Sequence, residues 1–373
     1  MKHGESGGVY VHFPYCVHRC FYCDFNLITP KLIPFDAYTN AILQELEQRA
    51  GRLDQPAQSL YFGGGTPSLW KTEFFSRVID AVKTAPGLLP HAEITLEANP
   101  SDVTLERCER WIDAGINRLS LGVQSFNTKT LRAADRLHSG EESHAAIAVA
   151  KKAGYDNLSI DLMFGLPGQR EEDWAEELKT ALELKVPHLS VYGLTVEEST
   201  PLHGMIQRRE ILLPDDSTTC RMFFQARDFL QSHGYSHYEV SAYAMPGHHA
   251  VHNSGYWAWR PYLGLGAGAH GFDGKVRWEN IRRVKTYIET SNAGKDPTAH
   301  QEEIPADTRA FERLMVGLRR LDQGIALDGD CARFRTKSVE LIERGWLEWD
   351  EDRVRVTREG LGWMNDMLAE FLD

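Results

Sequence analysis

Between residues 9 and 194, short β-branched or aromatic runs alternate with longer amphipathic stretches. This rhythm restricts the chain to few folds. The strand candidates are VYVHF (9–13), SLYFGG (59–64), EITLEA (93–98), RLSLGVQ (118–124), LSIDLMFG (158–165) and HLSVYGL (188–194). Helical patterns fall near 35–52, 71–85, 104–115, 141–154 and 171–186, and several end at a Gly or Pro, as at Gly115, Gly154 and Pro187. Strand, helix and strand at this spacing make repeated βαβ units and a parallel sheet. Six such units predict an α/β fold, a partial (β/α)6 TIM-like barrel, over residues 1–240.

Past residue 200 the rhythm changes. A further helix is predicted over 217–234. Residues 245–275, rich in Gly, His and aromatics, read as an irregular functional connection, within a segment set at 241–304. From 305 to 373 the pattern restarts as helix 307–321, helix 332–344, a hairpin WLEWDEDRVRV (346–356) and helix 357–372. Helices followed by a small β wing predict a winged-helix-like α+β domain.

The chemistry gathers in CVHRCFYCDF, residues 16–25, where Cys16, Cys20 and Cys23 form a C-x3-C-x2-C run just after the first strand. In parallel barrels, catalytic groups come from strand C-termini and the loops beyond them. Three packed thiolates suit zinc or an iron–sulfur cluster. For zinc, His12 or His18 could supply a fourth ligand. For a four-iron cluster, three cysteines leave one iron open. The chain's three other cysteines, Cys108, Cys220 and Cys331, are scattered, so a disulfide framework is not expected and a reducing cytosol is. The formal charge of −12 argues against nucleic-acid binding. No apolar run reaches membrane-spanning length, and the polar opening MKHGESGG lacks the apolar core of a secretory signal. Peripheral membrane contact stays open.

Other polar residues fall on the same predicted rim. YFGGGTPS (61–68) follows the second strand, and its glycines leave backbone N–H groups bare for a ligand. Glu97 ends the third strand, Gln124 the fourth, and Asp161 lies on the fifth. Each sits in an apolar strand, where burial without a partner is costly.

The cysteine run, with an aromatic before its last cysteine, resembles the hallmark of the radical S-adenosylmethionine (SAM) superfamily. The resemblance implies a [4Fe-4S] cluster whose open iron is chelated by SAM, which one electron splits to a 5′-deoxyadenosyl radical. YVHFPYC, GGGTP, EANP, GVQSF, DLMFGLPGQ and the C-terminal appendage narrow it to the oxygen-independent coproporphyrinogen III oxidase-like branch, over nearly the whole chain. Carried over by position, Tyr10 lies near the cluster, and Gly64, Gly65, Thr66, Glu97, Gln124, Arg136 and Asp161 contact SAM. Thr195 and His270 join them on weaker motif matches.

Within that branch, coproporphyrinogen dehydrogenases carry a fourth cysteine two residues beyond the third and a longer N-terminal extension. Here that position is Phe25, and the first strand begins at residue 9. CDF is similar instead to the haem chaperone (HemW) subfamily. HNSGYW (252–257) resembles that subfamily's HNxxYW haem-binding motif. It implies haem contact through His252, Asn253, Tyr256 and Trp257. Imidazole is a common axial ligand of haem iron. Tyr256 and Trp257 suit a porphyrin face, and Arg260 a propionate. His248 and His252, four apart, could bind zinc on one helical turn. The expected function is haem binding and delivery to haem-requiring respiratory proteins. A flavodoxin- or ferredoxin-like electron donor is implied, with the chain as monomer or homodimer. Oxidative decarboxylation of coproporphyrinogen III and a zinc-stabilised barrel are the alternatives.

Overall fold

The computed structural model describes residues 6–372; the first five residues of the polar opening and residue 373 lie outside the described residues. The first half follows the predicted order. β1 (Gly8–Phe13), α1 (Phe35–Arg49), β2 (Ala57–Gly64), α2 (Thr72–Thr84), β3 (Leu88–Ala98), α3 (Leu105–Asp113) and β4 (Arg118–Gln124) come first. There follow α4 (Thr128–Ala133), α5 (Gly140–Ala153), β5 (Leu158–Phe164), α6 (Glu171–Glu183) and β6 (His188–Gly193). Strands β1 to β6 are parallel and adjacent in sequence order, as a partial (β/α)6 barrel requires.

Period-two alternation explains both faces of this sheet. Val9, Val11 and Phe13 of β1, Leu60 and Phe62 of β2, Leu119 and Leu121 of β4, and Ile160 and Leu162 of β5 are wholly buried. They pack with Ile42, Val78, Trp111, Ile147 and Leu178 from the helices. The intervening side chains, among them Tyr10, Tyr61, Glu97, Ser120 and Asp161, therefore share the opposite face.

The second half departs from the expectation of an irregular connection. After α7 (Pro201–Gln207) and α8 (Asp216–Ser232), β7 (Ser236–Glu239) and β8 (Ala242–Ala244) join antiparallel beyond β6. Helix α9 (Val251–Trp257) precedes β9 (Tyr262–Leu265), which pairs parallel with β1. β10 (His270–Phe272), β11 (Val276–Asn280) and β12 (Thr298–Glu303) continue antiparallel, with α10 (Val284–Asn292) between the last two. The result is one open twelve-stranded mixed sheet, order β12-β11-β10-β9-β1-β2-β3-β4-β5-β6-β8-β7. Strands β7 to β10 span only three or four residues, too few for periodicity to reveal. A buried polar bolt holds the strands from β9 onward. Glu45 of α1 accepts Gly266 N–H (2.9 Å) and Tyr287 O–H (2.6 Å), and Arg49 reaches Asn280 (2.8 Å) and Asp296 (2.7 Å).

The C-terminal unit has its own core of Leu314, Leu318, Leu327, Leu341 and Val354. It comprises α11 (Ala306–Gly317), α12 (Arg335–Glu343) and a small sheet of β13 (Ile325–Ala326), β14 (Leu347–Asp350) and β15 (Arg353–Val356). The helix expected over 357–372 is two short ones, α13 (Arg358–Gly362) and α14 (Met364–Ala369), parted at Trp363. Gly360 and Gly362 weaken a continuous helix there. Among the described residues no helix is long and apolar enough to cross a membrane.

Candidate functional site

The C-terminal ends of β1 to β5 gather most of the residues singled out from sequence. The cysteine loop leaves β1 directly. Cys16 N–H donates to Ile28 O (3.0 Å), and Cys23 N–H to Cys20 O (3.1 Å), which folds the thiols into one short loop. All three cysteines are free; Cys16 and Cys20 are buried and Cys23 is half-buried. Burial pushes the Cys16 thiol up to about 11, so a thiolate there needs a cationic centre beside it. Cys16 Sγ meets Thr66 Oγ1 at 3.1 Å, and Arg136 Nη1 lies 3.8 Å from Cys20 Sγ.

The loop is clamped from several sides. His12 Nε2–H donates to Asn26 O (2.8 Å), and Tyr10 O–H to His12 Nδ1 (3.0 Å). Asn26 in turn donates to Ala267 O (2.9 Å) and Arg282 O (3.0 Å). Asp135 accepts Phe21 N–H at 3.1 Å and faces His18 Nε2 at 2.9 Å. His12 and His18 are thus both engaged outside the thiol group. Among the described residues no three His, Cys, Asp or Glu side chains are arranged to hold a single metal ion.

The loop after β2 lies against this one. Gly65 N–H donates to Phe13 O (2.7 Å) and Thr66 N–H to Tyr15 O (2.9 Å). Gly64 has φ +112°, and a Cβ there would stand 2.6 Å from the His12 ring, so only glycine fits. Its N–H donates to Glu97 Oε2 (3.1 Å), while Tyr61 O–H donates to Glu97 Oε1 (2.7 Å). Among the described residues Glu97 has no cationic partner, and burial raises its carboxyl from 4.5 to about 7. Burial likewise lifts Asp161 to about 6, against Ser190, Arg118, Ser120 and Arg136, which hold it down.

Two further observations mark an incomplete polar site. Gln124, at a β4 irregularity, has φ +60°, a strained value for a side-chain-bearing residue, and its buried Oε1 has no partner. Arg136 donates to Asn99 Oδ1 (2.8 Å) and Gly122 O (3.0 Å), yet its buried Nε is unpartnered. Whereas the glycine-loop N–H groups expected to be bare are bonded within the fold, desolvated carboxyls beside three thiols, with the unpartnered Gln124 Oε1 and Arg136 Nε, fit a ligand that is both cationic and anionic. They fit an iron–sulfur centre with a zwitterionic nucleoside better than they fit a closed zinc cage.

Thr195 and His270 are not drawn in equally. Thr195 is exposed beyond β6, and His270 is exposed on β10, 3.9 Å from Glu279. The sequence alone does not flag Asn99, Asp135, Asn26 or Tyr192, whose hydroxyl accepts Gln124 Nε2–H at 3.4 Å. Inward alternation on β6 was the available signal for Tyr192; the others sit on loops.

HNSGYW folds as α9 at the opposite, N-terminal end of the strands. Glu93, midway along β3, accepts the N–H groups of Val251 (2.9 Å) and His252 (3.0 Å) and so caps the helix. His252 is buried, and both its ring nitrogens are taken: Nδ1 by Ser59 Oγ and Nε2 by Tyr256 Oη, each at 2.8 Å. The ring stacks on Tyr61 with centroids 5.0 Å apart. Burial, then Arg118, lowers its pKa to about 3, so it is neutral. The expected haem ligand is therefore enclosed in this conformation. Iron could reach His252 only after the Tyr256 bond broke and α9 moved. Arg260 is likewise committed, to Gln58 Oε1. Trp257 Nε1–H donates to Glu239, and Asn253 is half-buried. His248 precedes α9, so it and His252 do not share a helical turn.

The model of the radical SAM superfamily matches residues 10–181, and fold and site define a radical SAM protein, a class that implies a [4Fe-4S] cluster and SAM. The chain is similar along its length to the solved coproporphyrinogen III oxidase (HemN) of Escherichia coli, with TM-score 0.80 at 24% identity, covering 98% of this chain and 90% of that one. That likeness establishes the fold. Proteins named haem chaperone HemW match more closely in sequence. The Mycobacterium tuberculosis protein is 36% identical, covering 96% of this chain and 92% of the relative. The Escherichia coli protein is 35% identical, covering 98% and 97%. The Bacillus subtilis protein is 33% identical, covering 97% and 98%. The chain belongs to the HemW family.

Proposed function

We propose that this protein binds haem and passes it to haem-requiring proteins, respiratory enzymes among them, on a radical SAM scaffold. Cys16, Cys20 and Cys23 would hold three irons of a [4Fe-4S] cluster. Gly64, Gly65, Thr66, Glu97, Gln124, Arg136 and Asp161 would surround SAM, with Tyr10 close by. Bound there, cluster and SAM supply one-electron chemistry. The chain's own part is to hold the thiolates in a clamped loop and to offer Glu97 and Asp161 to a cationic group. The burial that lifts both carboxyls despite their hydrogen bonds supports that role.

The observation that carries the haem reading is the HNSGYW segment folded as a distinct helix, capped by Glu93, under the same sheet that bears the thiol loop. The relatives' shared name agrees with it. Phe25, 58% exposed beside the thiol loop, stands where the dehydrogenases are expected to carry a fourth thiol. The test is an anaerobic titration of ferric haem into cluster-loaded protein, followed at the Soret band. A defined saturating stoichiometry is expected. Absence of binding above background, with protoporphyrinogen formed from coproporphyrinogen III under reducing conditions with SAM, would replace this reading by the oxidase.

A further inference from the structure

We infer that the imidazole offered to haem iron is His249 rather than His252, and that the porphyrin docks along the seam between α9, β7 and residues 318–323. This rests on the haem-binding reading above. His249 lies on the loop that leads from β8 into α9, three residues before the enclosed His252. Its side chain is 36% exposed, with Nδ1 facing Asp322 Oδ2 at 3.9 Å. In metal-binding imidazoles one nitrogen points to a carboxylate or carbonyl and the other takes the metal. Asp322 stands on the Nδ1 side, at ion-pair rather than hydrogen-bond distance, and Nε2 is left for iron.

The platform beneath is fixed. The His249 ring lies flat on Tyr238, centroids 4.0 Å apart and planes 11° apart. Tyr238 Oη bonds His188 Nε2 (2.8 Å) and accepts Ala250 N–H (3.1 Å), and its backbone O accepts Leu321 N–H (3.0 Å). The same seam holds an unanswered cation. Half-buried Arg319 places its guanidinium over Trp257, 5.7 Å from the ring centroid, and donates to Met315 O (2.8 Å). Among the described residues it has no carboxylate at ion-pair distance. A desolvated guanidinium without a counter-ion is costly, and a propionate would supply one bidentately. Ligand, aromatic wall and propionate partner thus come from three neighbouring segments. Trp257 keeps the place its motif suggests, while the iron ligand moves outward.

Ferric haem is titrated at the Soret band into full-length, cluster-loaded protein. The proteins compared are wild type, His249→Gln, His249→Gly, Asp322→Asn and His91→Ala, the last a control whose imidazole is exposed on β3. His249→Gln is expected to bind about tenfold or more weakly, and added imidazole to restore the band in His249→Gly. Asp322→Asn keeps the band but lowers the iron–imidazole stretching frequency of the ferrous form. His91→Ala matches wild type. Wild-type binding in His249→Gln, or an equal loss in His91→Ala, overturns this assignment and leaves the haem reading standing. If wild type itself binds no haem, both fall. Should His249→Gln melt early, Asp322→Asn decides, and an unshifted frequency overturns the assignment.

Discussion

Glu97→Gln removes a carboxyl whose ionisation the fold opposes. The rise from 4.5 to about 7 corresponds to about 3 kcal/mol at roughly 1.4 kcal/mol per unit. The sign follows from proton binding. Between those values the folded protein keeps a proton that the unfolded chain has lost, so wild-type stability falls as pH rises from about 4.5 to about 7. Glutamine has no such dependence. It keeps the Tyr61 O–H donation but loses the Gly64 N–H bond, at a cost of about 1 kcal/mol. Because Glu97 lines an open face rather than a sealed core, roughly half of the electrostatic figure is expected to survive screening. The stability of the variant relative to wild type should therefore rise by about 1–2 kcal/mol between pH 5 and pH 8. Urea denaturation of SAM-free protein across that range measures it. Parallel curves for the two proteins would refute the reasoning. The same variant should lose SAM affinity, since the carboxylate is the expected partner of a cationic group; in wild type that affinity should climb as pH rises through about 7.

Other outcomes follow from the same geometry. Alanine at Cys16, Cys20 or Cys23 should abolish the iron and sulfide content of reconstituted protein, read by metal analysis; retained zinc without iron would favour the zinc alternative. His252→Ala leaves Ser59 and Tyr256 unpaired in a buried site, so a stability loss of roughly 2–4 kcal/mol is expected in denaturant. In Gly8→Ala the new Cβ would stand 2.9 Å from Ser59 Oγ and 3.0 Å from His252 Nδ1, so about 1–3 kcal/mol should be lost; an unchanged melting temperature would argue against a tight helix seat.

The parallel half of the fold was legible because β1 to β6 combine strict alternation with amphipathic helices of ordinary length. Val9, Val11 and Phe13 announce one face of β1, and Tyr10 and His12 the other. The same alternation exposed Glu97 and Asp161 as polar groups in apolar strands. Strands β8 to β10 were not legible. They span three or four residues, β9 and β10 carry glycines at close approaches, and all are specified by long-range pairing rather than by local pattern. The HNSGYW segment shows a second limit. Its residue types suit a haem site, but sequence does not say which way a seven-residue helix turns its imidazole. Here Ser59, Tyr61 and Glu93, all distant in the chain, decide that His252 faces inward. Asn99 and Asp135 likewise act from loops, where no periodicity flags them.

The central claim is that this radical SAM scaffold carries haem for other proteins. The most direct measurement loads the cluster-containing protein with one equivalent of haem and mixes it with a haem-free respiratory b-type apoprotein, following the recipient's own haem spectrum. The recipient's spectrum should appear faster from the loaded protein than from the same amount of haem held by serum albumin. Prior removal of the cluster or of SAM should change that rate. Transfer no faster than from albumin, with haem retained or merely leaking, would contradict the central claim.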